Sequence, residues 1–197
     1  MFEQINITSL IGGKKIFFAS DFHLGSPNDI ESKKRELKIT NWLDSIKNNA
    51  HSVFLVGDIF DFWYEYKKAI PKGFVRFQAK IAELTDAGIP VYFFTGNHDM
   101  WMFDYFEKEL GVKIFRKEVE LNIDKRTFLI GHGDGLGPND HLYKFFKLFF
   151  ASKVCQWVFG RLHPNFGIGL ADFWSKSSRS HGDKHSDAFL GDDEWIL

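Results

Sequence analysis

Four short stretches of this 197-residue chain crowd together side chains that bind metals and move protons. Asp21 and His23 stand in "SDFH", Asp58 and Asp61 in "GDIFD", Asn97, His98 and Asp99 in "GNHD", and His132 and Asp134 in "GHGD". Carboxylates, imidazoles and one amide make a mixed nitrogen and oxygen donor set. It suits manganese, iron, zinc or magnesium better than a metal that seeks thiolates. A carboxylate can bridge two cations about 3.5–4 Å apart, a pair able to acidify a water and to neutralise a phosphoryl group during in-line displacement. A single Asp or His at a strand end is ordinarily a cap or turn residue. Four clusters, each with glycine beside it, point instead to one assembled centre, because glycine permits positive φ and close backbone approach.

The elements that must position these clusters are legible just upstream of each. "KKIFFAS", "SVFLV", "VYFF" and "TFLI" are short runs rich in Phe, Val, Ile and Tyr, the pattern of strands buried on both faces. Between the first two, Ile39, Trp42, Leu43 and Ile46 share one helical face. Between the second and third, Phe74, Phe77, Ile81 and Leu84 do the same, and that helix should end near Gly88, with Pro90 beyond it. Strand, helix, strand, helix, strand implies right-handed crossovers and a largely parallel sheet. A short helix is expected around Trp101 to Leu110. "VELNIDKRTFLI" follows as a hairpin, with Val119, Leu121 and Ile123 alternating with polar residues. Open α/β sheets bind ligands beyond the carboxyl ends of their strands, which is where all four clusters fall.

Composition narrows the class. With 44% hydrophobic and 26% charged residues the chain is globular, and its length suits one domain with an insert. The net charge of -1 offers no basic field for nucleic acid. Cys155 is the single cysteine, which fits a reducing, cytoplasmic compartment. The first residues lack the basic start and long apolar core of a secretory leader, and no stretch reaches about 18 uninterrupted apolar residues.

"DFH", "GDIFD", "GNHD" and "GHGD" resemble, in order and spacing, the first four motifs of the calcineurin-like metallophosphoesterases. The resemblance implies an α/β sandwich of two sheets flanked by helices, with two divalent metals, typically manganese, with zinc, iron or magnesium as alternatives. It implies Asp21, His23, Asp58, Asn97 and His132 as metal ligands, Asp58 bridging. His98 is implied as the proton donor to the leaving group, and Asp99 as the carboxylate steadying its ring. Beyond His132, "HGDGLGPND", an aromatic insert and "WSKSSR" are similar to the branch of the family that splits the pyrophosphate of UDP-2,3-diacylglucosamine in lipid A synthesis. That implies an acylated UDP-sugar substrate, hydrolysed to UMP and a lipid sugar 1-phosphate. Asp140, Ser175 and Arg179 would be substrate-binding residues. Where this chain has His98, some members of that branch carry Arg.

The insert, "HLYKFFKLFFASKVCQWVFGRLHP", is dense in Phe, Leu and Trp, with Lys144, Lys147, Lys153 and Arg161 interleaved. Leu142, Phe145, Phe146, Phe149 and Phe150 give an apolar arc wider than one-sided packing needs. Either this is a core helix, or it is a lid over residues about 140–185 that shelters acyl chains and touches the membrane, its basic residues meeting anionic headgroups. The second reading places the protein in the cytoplasm, peripherally on the inner face of the inner membrane, as a monomer or weak oligomer. His51 reads as a surface residue, His141 as a helix opener, His163 with Pro164 as a turn, and His181 and His185 as part of a polar loop.

One feature of the resembling family is missing. Its fifth motif, a strand followed by Gly-His-x-His, does not occur after His132. The expectation is therefore a single metallophosphoesterase domain, 1–197, truncated at its C-terminus. Two other readings stay open: a phosphodiesterase or phosphatase for another phosphate ester, and a non-catalytic binding module with an unfinished metal site.

Overall fold

The computed structural model describes residues 2–8, 10–134 and 141–171. Strands β1 (Glu3–Ile7), β2 (Lys15–Ala19), β3 (Ala50–Val56), β4 (Val91–Phe94), β5 (Lys113–Phe115), β6 (Val119–Ile123) and β7 (Arg126–Ile130) form two sheets. Helices α1 (Asp29–Ile46), α2 (Val75–Asp86) and α3 (Tyr105–Leu110) are crossovers, and α4 (His141–Ala151) and α5 (Lys153–Phe159) form the insert. The first sheet runs β2-β3-β4-β5, all parallel, and the second runs β1-β6-β7. In the second sheet β1 pairs parallel with β6, and β6 pairs antiparallel with β7.

Two clusters of buried side chains make the core. One packs α1, α2 and α3 on the parallel sheet through Leu43, Phe77, Ile81, Phe93 and Phe106, with Phe60 and Trp63 between them. The other fills the gap between the sheets with Phe54, Phe94, Phe115, Leu121, Ile5 and Ile7. The strands of the first sheet therefore face apolar neighbours on both sides, which is why their sequences do not alternate.

Two helices take their N-terminal caps from distant carboxylates. Phe74, the residue before α2, is left-handed and offers no side-chain cap. Glu36, buried on α1, accepts instead from the Arg76 and Phe77 N–H groups at 2.9 and 3.1 Å. Glu65 does the same for α3, accepting from the Asp104 and Tyr105 N–H groups. An anion at a helix N-terminus satisfies orphan donors and complements the dipole.

Several expectations are refined. The fourth apolar run, β7, belongs to the second sheet and is antiparallel to its neighbour, so its cluster reaches the common site from across the sandwich. The short third helix begins at Tyr105, not Trp101, because Trp101 is spent in a bridge to Tyr64. His163 opens another helical run, 164–171, its ring Nδ1 accepting from the Asn165 N–H. The insert is not a core helix: Phe145 is 62% and Leu148 74% exposed. Among the described residues no helix is long and apolar enough to cross a membrane.

Candidate metal centre

The first three clusters occupy the loops after β2, β3 and β4, three adjacent parallel strands, and the fourth follows β7. Their backbones bend unusually. Asp21, His23 and Asp58 have positive φ of 58°, 42° and 52°, a region that costs most side chains of order 1 kcal/mol or more and is kept where the surroundings demand it. Loop-to-loop bonds supply that demand: Asp21 N–H donates to Gly57 O and His23 N–H to Asp58 O. One guanidinium nitrogen of Arg35, on α1, donates to the carbonyls of Phe22, His23 and Ser26 at 3.0, 2.9 and 3.2 Å.

Asp58 is the geometric middle of the site. Its Oδ2 lies 3.4 Å from His132 Nε2 and 3.7 Å from His23 Nε2. Its Oδ1 accepts from the His98 backbone N–H at 3.1 Å. Two glycines make room. A Cβ on Gly96 would stand 2.1 Å from Asp58 Oδ1, and one on Gly57 would stand 2.4 Å from His132 Nδ1. No larger residue fits either place without moving a side chain of the centre.

The structure gathers the donors into two groups, Asp21 with Asp58 and His132, and His23 with Asp61 and His98, the atoms of each lying within 4.8 Å of one another. His132 donates its Nδ1 hydrogen to Val56 O (2.9 Å), which turns Nε2, the acceptor atom, toward Asp58. Burial alone would lower the His132 pKa, but the nearby Asp58 carboxylate overrides it and holds it up at about 9. The His23 pKa is also raised, first through Asp61, against the opposing effect of burial. His23 Nδ1 is buried with no hydrogen-bond partner. Two half-buried imidazoles beside carboxylates, positive-φ backbone at Asp21, His23 and Asp58, and a buried His23 Nδ1 with no hydrogen bond among the described residues suit a cation-binding centre. The donor set fits divalent metals.

Asp61 belongs to the donor set read in the sequence but is not among the ligands that the family resemblance implies; its carboxylate is 3.6 Å from His23 Nδ1. Asp99 is a correction. It does not hold the His98 ring. Its Oδ2 accepts from the Ile59 and Phe60 N–H groups (2.8 and 3.3 Å) and its Oδ1 from Gly96 N–H (2.8 Å), tying two metal-site loops together. Burial first, and the charge of Asp58 second, push Asp99 up to about 7 despite those donors. The His98 ring donates from Nδ1 to the backbone carbonyl of Asp61 at 3.0 Å. A carbonyl only accepts, so Nδ1 carries hydrogen. Asn97 and His98 both line a cavity of about 430 Å³ whose other walls include Phe62, Trp101, Phe146, Phe150 and Phe159. Asp134 pairs with Lys147 of α4 at 2.8 Å. Asp140, Ser175 and Arg179, like His181 and His185, lie outside the described residues.

A two-sheet sandwich with these four motifs at its strand ends defines the chain as a metallophosphoesterase, and it belongs to the calcineurin-like phosphoesterase family, whose sequence model matches residues 14–194. It is similar to the UDP-2,3-diacylglucosamine hydrolase of Porphyromonas gingivalis (strain W83), at 33% identity over 93% of this chain and 74% of the relative. Enzymes of the same name from Shewanella baltica (27%, covering 87% of this chain and 69% of the relative) and Proteus mirabilis (31%, 72% and 59%) are also similar. The protein is thus a hydrolytic enzyme of a family that uses divalent metals.

Proposed function

We propose that this enzyme hydrolyses the pyrophosphate of UDP-2,3-diacylglucosamine, yielding UMP and the diacylated sugar 1-phosphate for lipid A biosynthesis. One observation carries the reading: the apolar cavity of about 430 Å³ that opens onto Asn97 and His98 and is walled by Phe146 and Phe150 of α4 and Phe159 of α5. An apolar chamber of this kind beside the reacting centre suits acyl chains. The names of the relatives support the same substrate.

In this reading Asp21, His23, Asp58, Asn97 and His132 would hold two divalent ions, manganese by preference. When bound, such ions supply Lewis-acid charge and an acidified water. The chain's own groups do the rest. His98, oriented by the Asp61 carbonyl, acts as the imidazolium: it presents Nε2–H to the phosphoryl oxygens, gives that proton to the departing oxygen and keeps the one on Nδ1. The apolar chamber orients the lipid half and keeps water from it. The outward faces of α4 and α5, with Phe145, Leu148, Phe149 and Trp157 exposed among Lys144, Lys153 and Arg161, rest on an anionic bilayer surface from which the substrate is drawn.

The test compares turnover of the acylated UDP-sugar with that of UDP-N-acetylglucosamine, with manganese, magnesium or zinc added. The acylated substrate should be preferred by at least tenfold, and Phe146→Asp with Phe150→Asp should erase the preference. Equal turnover of both substrates by the wild type would overturn the proposal. Phe145→Asp with Phe149→Asp should weaken sedimentation with phosphatidylglycerol vesicles, leaving turnover in detergent intact.

A further inference from the structure

A second cavity, of about 560 Å³, also borders the metal centre. His132 and Asp134 border it, as Asn97 and His98 border the first, and Met100 and Lys147 stand in the walls of both. Its character is different. Arg116, Lys117, Lys147 and Lys153 converge on it from the β5–β6 connection, α4 and the start of α5. Lys147 is neutralised by Asp134, and Arg116 is occupied with the carbonyls of Met102 and Phe103 at 2.8 Å. Lys117 and Lys153 have no ion-pair partner among the described residues. Two uncompensated ammonium groups at the lip of a cleft attract a phosphorylated ligand and would be poor company for an acyl chain.

Resting on the substrate reading above, we infer that this cationic cleft holds the nucleotide half of the substrate, with Lys117 and Lys153 as its specificity-determining charges. The substrate then lies across the centre in one direction: lipid over His98, the nucleotide beyond His132, and the scissile phosphoanhydride between them at Asp58. The size fits, since about 300–1,000 Å³ is usual for pockets that take a small molecule and one phosphate would fill only a fraction of it. The walls fit too. Phe103 offers apolar surface to a planar base, and Glu118 offers an acceptor to ribose hydroxyls or the imide N–H.

The experiment measures binding of UMP and of a diacylated glucosamine 1-phosphate to the full chain by calorimetry, without added metal, and then steady-state kinetics with manganese. The variants are Lys117→Ala, Lys153→Ala and their double. Lys117→Arg with Lys153→Arg is the charge-preserving control, and each variant is checked for an unchanged melting temperature. UMP affinity should fall about tenfold in the double alanine variant and return in the arginine control. The lipid product should bind as in wild type, and KM should rise with kcat nearly constant. Wild-type UMP affinity in the double alanine variant, or equal loss for both products, would overturn the assignment. If UMP binding follows the two lysines but the acylated UDP-sugar is not hydrolysed, the cleft stands and the substrate reading falls.

Discussion

The carboxylate of Asp99, just past β4, accepts a 2.8 Å hydrogen bond from the backbone N–H of Ile59, just past β3, and does so from a fully buried position. The bond joins the loop that carries Asp58 to the loop that carries Asn97 and His98. A hydrogen bond contributes about 1 kcal/mol net and a buried donor left unpaired costs about 1–3 kcal/mol, and three donors are at stake here. Asp99→Ala should therefore lose about 3 kcal/mol or more of stability in denaturant titration, with metal affinity falling in step. Asp99→Asn should lose less. An Asp99→Ala protein with its stability intact but its kcat collapsed would restore a direct role on the His98 ring.

Gly96→Ala forces a methyl group to within 2.1 Å of Asp58 Oδ1. Asp58 must swing away, and the two imidazoles that flank it lose their common partner. Metal content after dialysis against manganese should drop at least tenfold, and the rise in melting temperature that bound metal confers on the wild type should vanish. That rise corresponds to about 2.7 kcal/mol at a metal concentration of 100 Kd. Gly169→Ala, where nothing stands within 4 Å of the new methyl, is the matched control and should bind metal normally.

Arg35 is a positioning residue. It touches no ligand atom but holds three carbonyls of the loop from Phe22 to Ser26. Arg35→Ala frees a loop whose positive-φ conformations at Asp21 and His23 are costly on their own. Metal affinity should fall about tenfold, and kcat should recover at saturating manganese. A loss of kcat that excess metal does not repair would argue against positioning as its role.

Glu36 makes stability depend on pH. Burial raises its pKa, but Lys33 and the N–H groups of Phe77 and Arg76 together outweigh this and leave it below the ordinary 4.5. A depressed carboxylate stabilises the fold above its unfolded pKa and loses that contribution as pH falls through the folded value. Glu36→Gln should thus cost about 1–2 kcal/mol at pH 7, the scale of a lost helix cap. The variant and wild-type curves should converge below pH 4. A constant gap from pH 7 to pH 3 would show that shape, not charge, is at work.

The parts of the fold that could be read in the sequence are those whose cause is local. β2, β3 and β4 announce themselves because both faces are buried, and α1 and α2 because their apolar residues share a face. β1 went unseen, since only Ile5 and Ile7 of its five residues are buried and its partner, β6, begins more than a hundred residues later. β5 is three residues long. In the site, the metal motifs were legible as spaced clusters. The partners of Asp99 were not, because they are backbone N–H groups brought in by the fold, and no neighbouring residue encodes them. The cap on α2 was hidden for the same reason, Glu36 reading as one more charge on α1. The break of the insert at Ser152 had a signal: its hydroxyl accepts from Cys155 N–H, a helix cap placed in the middle of an aromatic run.

Trp101 gives the molecule a mechanical property. Its indole N–H donates to Phe150 O at the end of α4 (2.8 Å), its ring lies 4.7 Å from that of Phe159 on α5, and its backbone follows Asn97 and His98 by a few residues. Tyr64 adds a second rivet, its hydroxyl donating to Gln156 O at 2.7 Å. The proximal end of the aromatic roof and the floor of the reacting centre therefore share one anchor. A hinge at that end would have to drag the centre with it. The roof is fixed to the centre near Phe150 and Phe159, and Lys147 ties α4 to it again through Asp134, so the wall of the chamber and the catalytic loops keep one shape together.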